Sequence, residues 1–198
     1  MEDFVPFDRT DIEASIPALF DRQVRVGPAR IAVSDGHNRY TYAELDRWSN
    51  RIAQGLLRLR GDGEEPVTLL FRQSAAAVAA TLGTLKAGKI YVPLDPNESE
   101  SELRQVVSDC RPSLIVSDAP HGALANSVIG RSGEVLDITN LTATDADEDP
   151  GLDIGPERLC YIFYTSGTTG PRKGVFDNHR NVLHNVMRYT NSLQIGPA

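Results

Sequence analysis

Cysteine, histidine and net positive charge are scarce in this chain, and no stretch stays apolar for long. Only two of the 198 residues are cysteines, at positions 110 and 160. Each lies in an apolar-periodic segment without metal-ligand spacing, which excludes a disulfide scaffold or a cysteine-based metal cluster. They read as buried free thiols in a reducing compartment. The net charge of −7 excludes a general nucleic-acid or anionic-membrane binder, which needs a basic face. An anionic ligand would have to be met by locally concentrated donors working against the overall field. No apolar run reaches membrane-spanning length. The acidic start "MEDFVPFDRTDIEAS" lacks the basic opening and apolar core of a secretion signal. These absences predict a cytoplasmic protein. The rest of the composition, 40% hydrophobic and 24% charged, is that of a soluble globular protein. The length suffices for one sizeable core or two small ones.

The apolar pattern alternates between two periods. "SIPALFDRQV" places Ile16, Leu19, Phe20 and Val24 on one helical face, and "ARIAVSD" reads as a short strand with "GHNRY" as its turn. "TYAELDRWSNRIAQGLLRLRG" is the strongest helix signal. Thr41 and Glu44 form a capping box, Leu45, Trp48, Ile52, Leu56 and Leu59 form the apolar stripe, and Gly61 marks the stop. "PVTLLF" is a strand apolar on both faces. "SAAAVAATLGTLKAG" is a helix capped by Ser74, ended by Gly88, with Val78, Leu82 and Leu85 inward. "KIYVPL" is a strand. "SESELRQVVSDC" is a helix capped by Ser99, burying Leu103, Val106, Val107 and Cys110, with acidic residues suiting its first turn. "SLIVSD" and "EVLDI" are further strands. This alternation predicts an α/β fold: a largely parallel sheet with helices on both faces and ligands beyond the carboxyl ends of the strands.

One composition break interrupts it. Residues 142–157, "TATDADEDPGLDIGPE", are acidic and rich in proline and glycine, and read as a linker loop. "DADED" imitates the start of a calcium-binding EF-hand loop. Pro150 stands where its turn glycine belongs and Pro156 where its bidentate glutamate belongs, so a solvated loop is the better reading.

The chemistry concentrates at 161–175, "YIFYTSGTTGPRKGV". A strand rich in aromatic and β-branched residues runs into a loop of hydroxyls and glycines. Gly167 and Gly170 allow a tight backbone whose N–H groups converge on an anion. Thr165, Ser166, Thr168 and Thr169 add hydroxyl donors, and Lys173 adds a mobile charge. A Walker A loop does not fit: the two glycines are too close, the lysine does not follow a glycine, and Gly174 stands where the magnesium-binding hydroxyl belongs. The bland alternative is a polar hairpin loop without a ligand. The density of donors in this order argues against it.

These residues resemble a known family. "YTSGTTGPRKGV" looks like the phosphate-binding signature of the AMP-forming adenylating enzymes: acyl-CoA ligases, luciferases and the adenylation domains of nonribosomal peptide synthetases. "YTYAEL" at 40–45 and "LKAGKIYVPLDP" at 85–96 resemble the first two adenylation motifs in order and spacing. "YVPLDP", "SIPALFDRQV" and "NHRNVLHNV" lean toward the peptide-synthetase branch. The resemblance implies ATP with Mg²⁺, an amino-acid or other carboxylate substrate, and a carrier-protein thiol as acceptor, without nucleic-acid or membrane partners. It implies that Thr165, Ser166, Gly167, Thr168, Thr169, Gly170 and Lys173 hold the β- and γ-phosphates. It also implies that residues 1–198 form the N-terminal part of an adenylation domain. That part divides into an α/β block (1–141), the acidic linker (142–157), and a strand, phosphate loop and helix (158–198). The family's substrate pocket, adenine and ribose motifs, Mg²⁺ ligands and catalytic lysine lie downstream of Ala198. The chain alone is therefore expected to have little adenylation activity and to expose sheet edges and apolar surface. An acyl-CoA ligase fragment and a non-catalytic nucleotide-binding or interaction module are the alternative readings.

The remaining candidates read as structural. Tyr40–Leu45 is a helix start, and Lys86–Pro96 is a helix stop followed by a core strand, with Lys86 complementing the helix dipole. His179 and His184 are five apart and diverge on a helix whose stripe is Val182, Leu183, Val186 and Met187, which argues against a shared metal. His37 and His121 fall in predicted turns.

Overall fold

Five residues, Pro66–Leu70, form the centre of the sheet because they are apolar on both faces. The computed structural model describes residues 6–36, 38–131, 133–142, 145–165 and 172–196. In chain order its strands are β1 (Ile31–Ser34), β2 (Arg39–Thr41), β3 (Pro66–Leu70), β4 (Ile90–Leu94), β5 (Leu114–Ser117), β6 (Glu134–Asp137), β7 (Leu159–Thr165) and β8 (Lys173–Asn178). Strands β1 and β2 make a separate antiparallel hairpin. The other six form one sheet in the order β6-β5-β3-β4-β7-β8. Every neighbour pair in it is parallel except β7–β8, so the expected parallel sheet carries an antiparallel edge strand that the sequence pattern does not announce.

The helices are α1 (Ile16–Val26), α2 (Tyr42–Arg60), α3 (Ala75–Lys86), α4 (Glu100–Cys110), α5 (Gly122–Ile129) and α6 (His179–Leu193). The two sheet faces pack separately. Val67, Leu69, Leu114 and Val116 join Leu45, Ile52, Leu56 and Leu82 of α2 and α3 on one face. Leu70, Val92, Leu94 and Ile115 join Leu103 and Val106 of α4 and Val128 of α5 on the other. This division follows from the two-residue period of strands. Helices α2 and α3 touch closely at Gly83, where a Cβ would lie 2.7 Å from the carbonyl oxygen of Ser49.

The capping predictions hold: the box of Thr41 with Glu44 opens α2, and Ser99 caps α4, where Glu102 completes a second box. Three stripe predictions do not hold. Leu59 is 43% exposed, because Leu57 instead continues the packing of α2. Val78 is 38% exposed on a groove of about 390 Å³ shared with Ile16, Phe20 and Tyr42. The interior contacts of α3 are carried by Ala75, Ala79, Ala80, Leu82 and Leu85. Val186 is 42% exposed, since α6 buries only His179 and Leu183 and rests on the N-terminal 3₁₀ turn Arg9–Glu13. That contact is held by Arg180 on Glu13 and by a two-bond clasp between the Phe7 main chain and the Asn191 side chain.

The acidic stretch runs along α2. Asn50 Nδ2 donates to the Asp147 carbonyl at 3.0 Å, and Gln54 Nε2 to the Glu148 carbonyl at 3.1 Å. Arg51 and Arg58 pair with Asp147 and Asp145, both at 3.6 Å. Among the described residues no helix is long and apolar enough to cross a membrane.

Candidate functional site

Strand β3 leads into α3 on one face of the sheet, and its neighbour β4 leads into α4 on the other. Adjacent strands with diverging exits open a crevice at their carboxyl ends, which is where open α/β sheets take ligands. A cleft of about 670 Å³ occupies this place. Arg72 lines it from beyond β3, Asp95, Asn97 and Glu98 from beyond β4, and Tyr164 and Arg172 from the β7–β8 hairpin.

Thr165 ends β7 and Lys173 begins β8, and the two are directly paired across the hairpin. Both are exposed. The predicted phosphate-loop residues Ser166, Gly167, Thr168, Thr169 and Gly170 lie outside the described residues, as does His37. The structure therefore brings together two of the seven predicted donors, at the loop end of the hairpin beside the cleft. Among the described residues no carboxylate pairs with Lys173. Its neighbour Arg172 is engaged: Nη1 donates to both oxygens of Glu98 at 2.8 Å, and Nη2 to Glu102 Oε1 at 3.3 Å. The Glu98 carboxylate holds the Arg172 guanidinium above its ordinary range. In chemical terms, the hairpin offers an exposed ammonium and a hydroxyl to an anion, in a protein whose net charge is otherwise repulsive to one.

The last aromatic before Thr165 is also tied down. Tyr164 Oη donates to Asp109 Oδ2 at 2.6 Å, and burial, followed by this bond, pushes its phenol up, so it acts as a neutral donor. The ring crosses opposite Gly174, where a Cβ would lie 3.3 Å from the Tyr164 Cζ.

Other titratable groups are bound into the scaffold. Lys86, 2% exposed, is far more than a dipole complement. Its Nζ donates to Asp46 at 2.6 Å and Asn50 at 2.7 Å, lies 3.0 Å from Asp21, and sits 5.3 Å above the Phe20 ring. Lys89 is equally buried and donates to the Gly63 carbonyl and to Glu65. Sequence reasoning missed both clusters, because their partners lie between 24 and 65 positions away. His179 is buried with its Nδ1 accepting from the Ile16 amide at 3.2 Å, whereas His184 is exposed. His121 is half-buried and pairs with Asp118. Cys160 is buried and Cys110 half-buried, and burial pushes each thiol up to about 12.

A protein-family model described as "AMP-binding enzyme" matches residues 20–197. Malpinin synthetase of Mortierella alpina is 36% identical over 181 residues, which cover 91% of this chain and 2% of that protein. HC-toxin synthetase of Cochliobolus carbonum is 33% identical over 195 residues, covering 96% of this chain and 4% of the synthetase. Among solved structures, the nonribosomal peptide synthetase FmoA3 matches with a TM-score of 0.86 at 23% identity, over 94% of this chain and 19% of that one. FmoA3 has also been solved in AMPPNP-bound and α-methyl-L-serine-AMP-bound forms. The chain thus spans a small fraction of each relative.

Proposed function

The chain belongs to the AMP-binding enzyme family, and on that premise we propose that it is the N-terminal part of an ATP-dependent, AMP-forming enzyme that activates an amino acid for nonribosomal peptide synthesis. One observation carries the reading. A hairpin beside the strand-end cleft presents an exposed Lys173 opposite Thr165, at the two ends of a sequence segment rich in hydroxyls and glycines. The synthetases among its relatives, and the nucleotide complexes of FmoA3, support the same reading.

In the reaction, a carboxylate oxygen of the substrate attacks the α-phosphorus of ATP. The bond from that phosphorus to the bridging oxygen breaks, pyrophosphate leaves with its electron pair, and the acyl group stays on AMP. This chain's part is to hold the leaving end. Thr165, Ser166, Gly167, Thr168, Thr169 and Gly170 direct hydroxyls and amides at the β- and γ-phosphates. Lys173 offsets the charge that builds on them as the bond breaks. Chemistry at phosphorus depends mainly on such positioning and charge neutralisation. Mg²⁺ bound with ATP would supply further positive charge to the leaving group, beside that of Lys173. The acyl group then passes to a carrier-protein thiol. The free, high-pKa cysteines suit work in the cytoplasm, where ATP is also available.

The test is Lys173→Ala in the longer polypeptide that carries this chain, read by amino-acid-dependent ATP–pyrophosphate exchange. We expect kcat/KM for ATP to fall by roughly 10²-fold or more, the usual cost of removing one transition-state donor. Unchanged kinetics would remove Lys173 from the site.

A further inference from the structure

The geometry points to Glu98 and Glu102 as positioning residues that fix the phosphate-facing hairpin through Arg172. This inference rests on the reading of that hairpin given above. Arg172 stands next to Lys173 and carries the same charge, so it is an obvious second phosphate ligand. Its surroundings argue otherwise. Its guanidinium already lies against two carboxylates, and its side chain is mostly buried.

The main chain of Glu98 and the carboxylate of Glu102 are themselves held. The Glu98 amide donates to the Asp95 carbonyl at 3.0 Å, and the Asp95 carboxylate accepts from the Asn97 amide at 2.9 Å, which closes a turn. Glu102 accepts from the Ser99 amide and hydroxyl in the capping box that opens α4. Arg172 therefore docks bidentately on a carboxylate carried by a fixed turn, beside a second that is locked in a capping box, the arrangement in which an ion pair fixes geometry.

The other strand of the hairpin is moored to the same helix. Tyr164, one residue before Thr165, donates to Asp109 near the end of α4. Gly174 leaves room for the Tyr164 ring to lie across β8. Each strand is thus bolted to α4 one residue away from a predicted phosphate donor: Tyr164 beside Thr165, and Arg172 beside Lys173. Successive strand side chains point to opposite sides. Tyr164 points toward Asp109 on α4, so its neighbour Thr165, and Lys173 paired with it, lie on the side away from α4.

The two roles for Arg172 make opposite predictions for Glu98→Gln. If Arg172 binds phosphate directly, deleting a competing carboxylate frees the guanidinium and tightens nucleotide binding. If Glu98 positions the hairpin, the same change weakens binding. The experiment titrates the longer polypeptide that carries this chain with MgATP by calorimetry and follows hydrogen exchange at the Thr165 and Lys173 amides without nucleotide. It compares Glu98→Gln, Arg172→Gln, the double variant, and Arg104→Gln as a control elsewhere on α4. We expect both single variants to weaken binding by roughly fivefold or more, a modest loss for a misplaced binding group. The double variant should cost no more than either single one, as for residues acting as a unit. Exchange at both amides should speed up by roughly tenfold in the hairpin variants, with the amides of α2 and α3 unaffected. The control should match the wild type. Tighter binding in Glu98→Gln, or exchange equal to the wild type, overturns the proposal. If the wild-type polypeptide binds no MgATP, the phosphate reading loses its support, and the exchange comparison alone then decides whether the hairpin is moored.

Discussion

His179 makes one hydrogen bond that ties the two ends of the chain together. Its Nδ1 accepts from the amide of Ile16 in the first turn of α1, which requires a neutral ring with its proton on Nε2. Burial, helped by the nearby Arg158 charge, lowers its pKa to about 4 from 6.5. Unfolding restores the higher value, so the unfolded chain binds more protons between those two pH values. Stability is therefore complete above about pH 6.5 and is lost progressively as the pH falls toward 4. At 1.36 kcal/mol per unit, the full loss from this one residue is about 3 kcal/mol. Urea denaturation at pH 7 and at pH 5 should show the decline, and His179→Gln should flatten it. An undiminished slope in that variant would assign the acid sensitivity to other groups.

Gly83 decides how closely α2 and α3 approach. A methyl group at this position would meet the Ser49 carbonyl and the Ile52 side chain, and the backbone oxygen cannot swing aside. Gly83→Ala should cost about 2 kcal/mol by chemical denaturation, despite the better helix propensity of alanine, as overpacked cores generally do. A neutral or stabilising result would mean that the helices slide apart freely. Local signals of this kind made much of the fold legible. The capping boxes at Thr41 and Ser99 and the two-faced apolar run of β3 declare themselves within a few residues of sequence. Helix α5 does not, because it begins at Gly122 with no side-chain cap and runs only eight residues. Strand β8 is similarly hidden. Its first four residues are exposed, so no alternation marks it, and only its pairing with β7 makes it a strand. The same distinction applies to the site. Lys173 and Thr165 stand out through the motif they share. The role of Arg172 depends on carboxylates 70 or more positions earlier, which no local pattern reports.

At the scale of the whole chain, apolar surface collects around β8 and α6. Phe176 is 64% exposed, and Val175, Tyr189, Leu193 and Ile195 are exposed with it. Strand β8 is also one of the two edge strands of the sheet. An edge strand beside exposed apolar residues invites self-association unless something covers it. In the proposed function the covering comes from the rest of the enzyme. The isolated chain should therefore self-associate at micromolar concentration, and Phe176→Ser should reduce that association as read by static light scattering. A wild-type chain that stays monomeric would show that this surface is tolerated in water. The acidic stretch beside α2 behaves in the opposite way. Asn50 and Gln54 grip carbonyl oxygens that every amino acid possesses, so these two of its attachments follow its path rather than its spelling, and the looser ion pairs of Asp145 and Asp147 add to them. Mutational drift can rewrite most of its side chains while the two carbonyl contacts keep the route along the same helix.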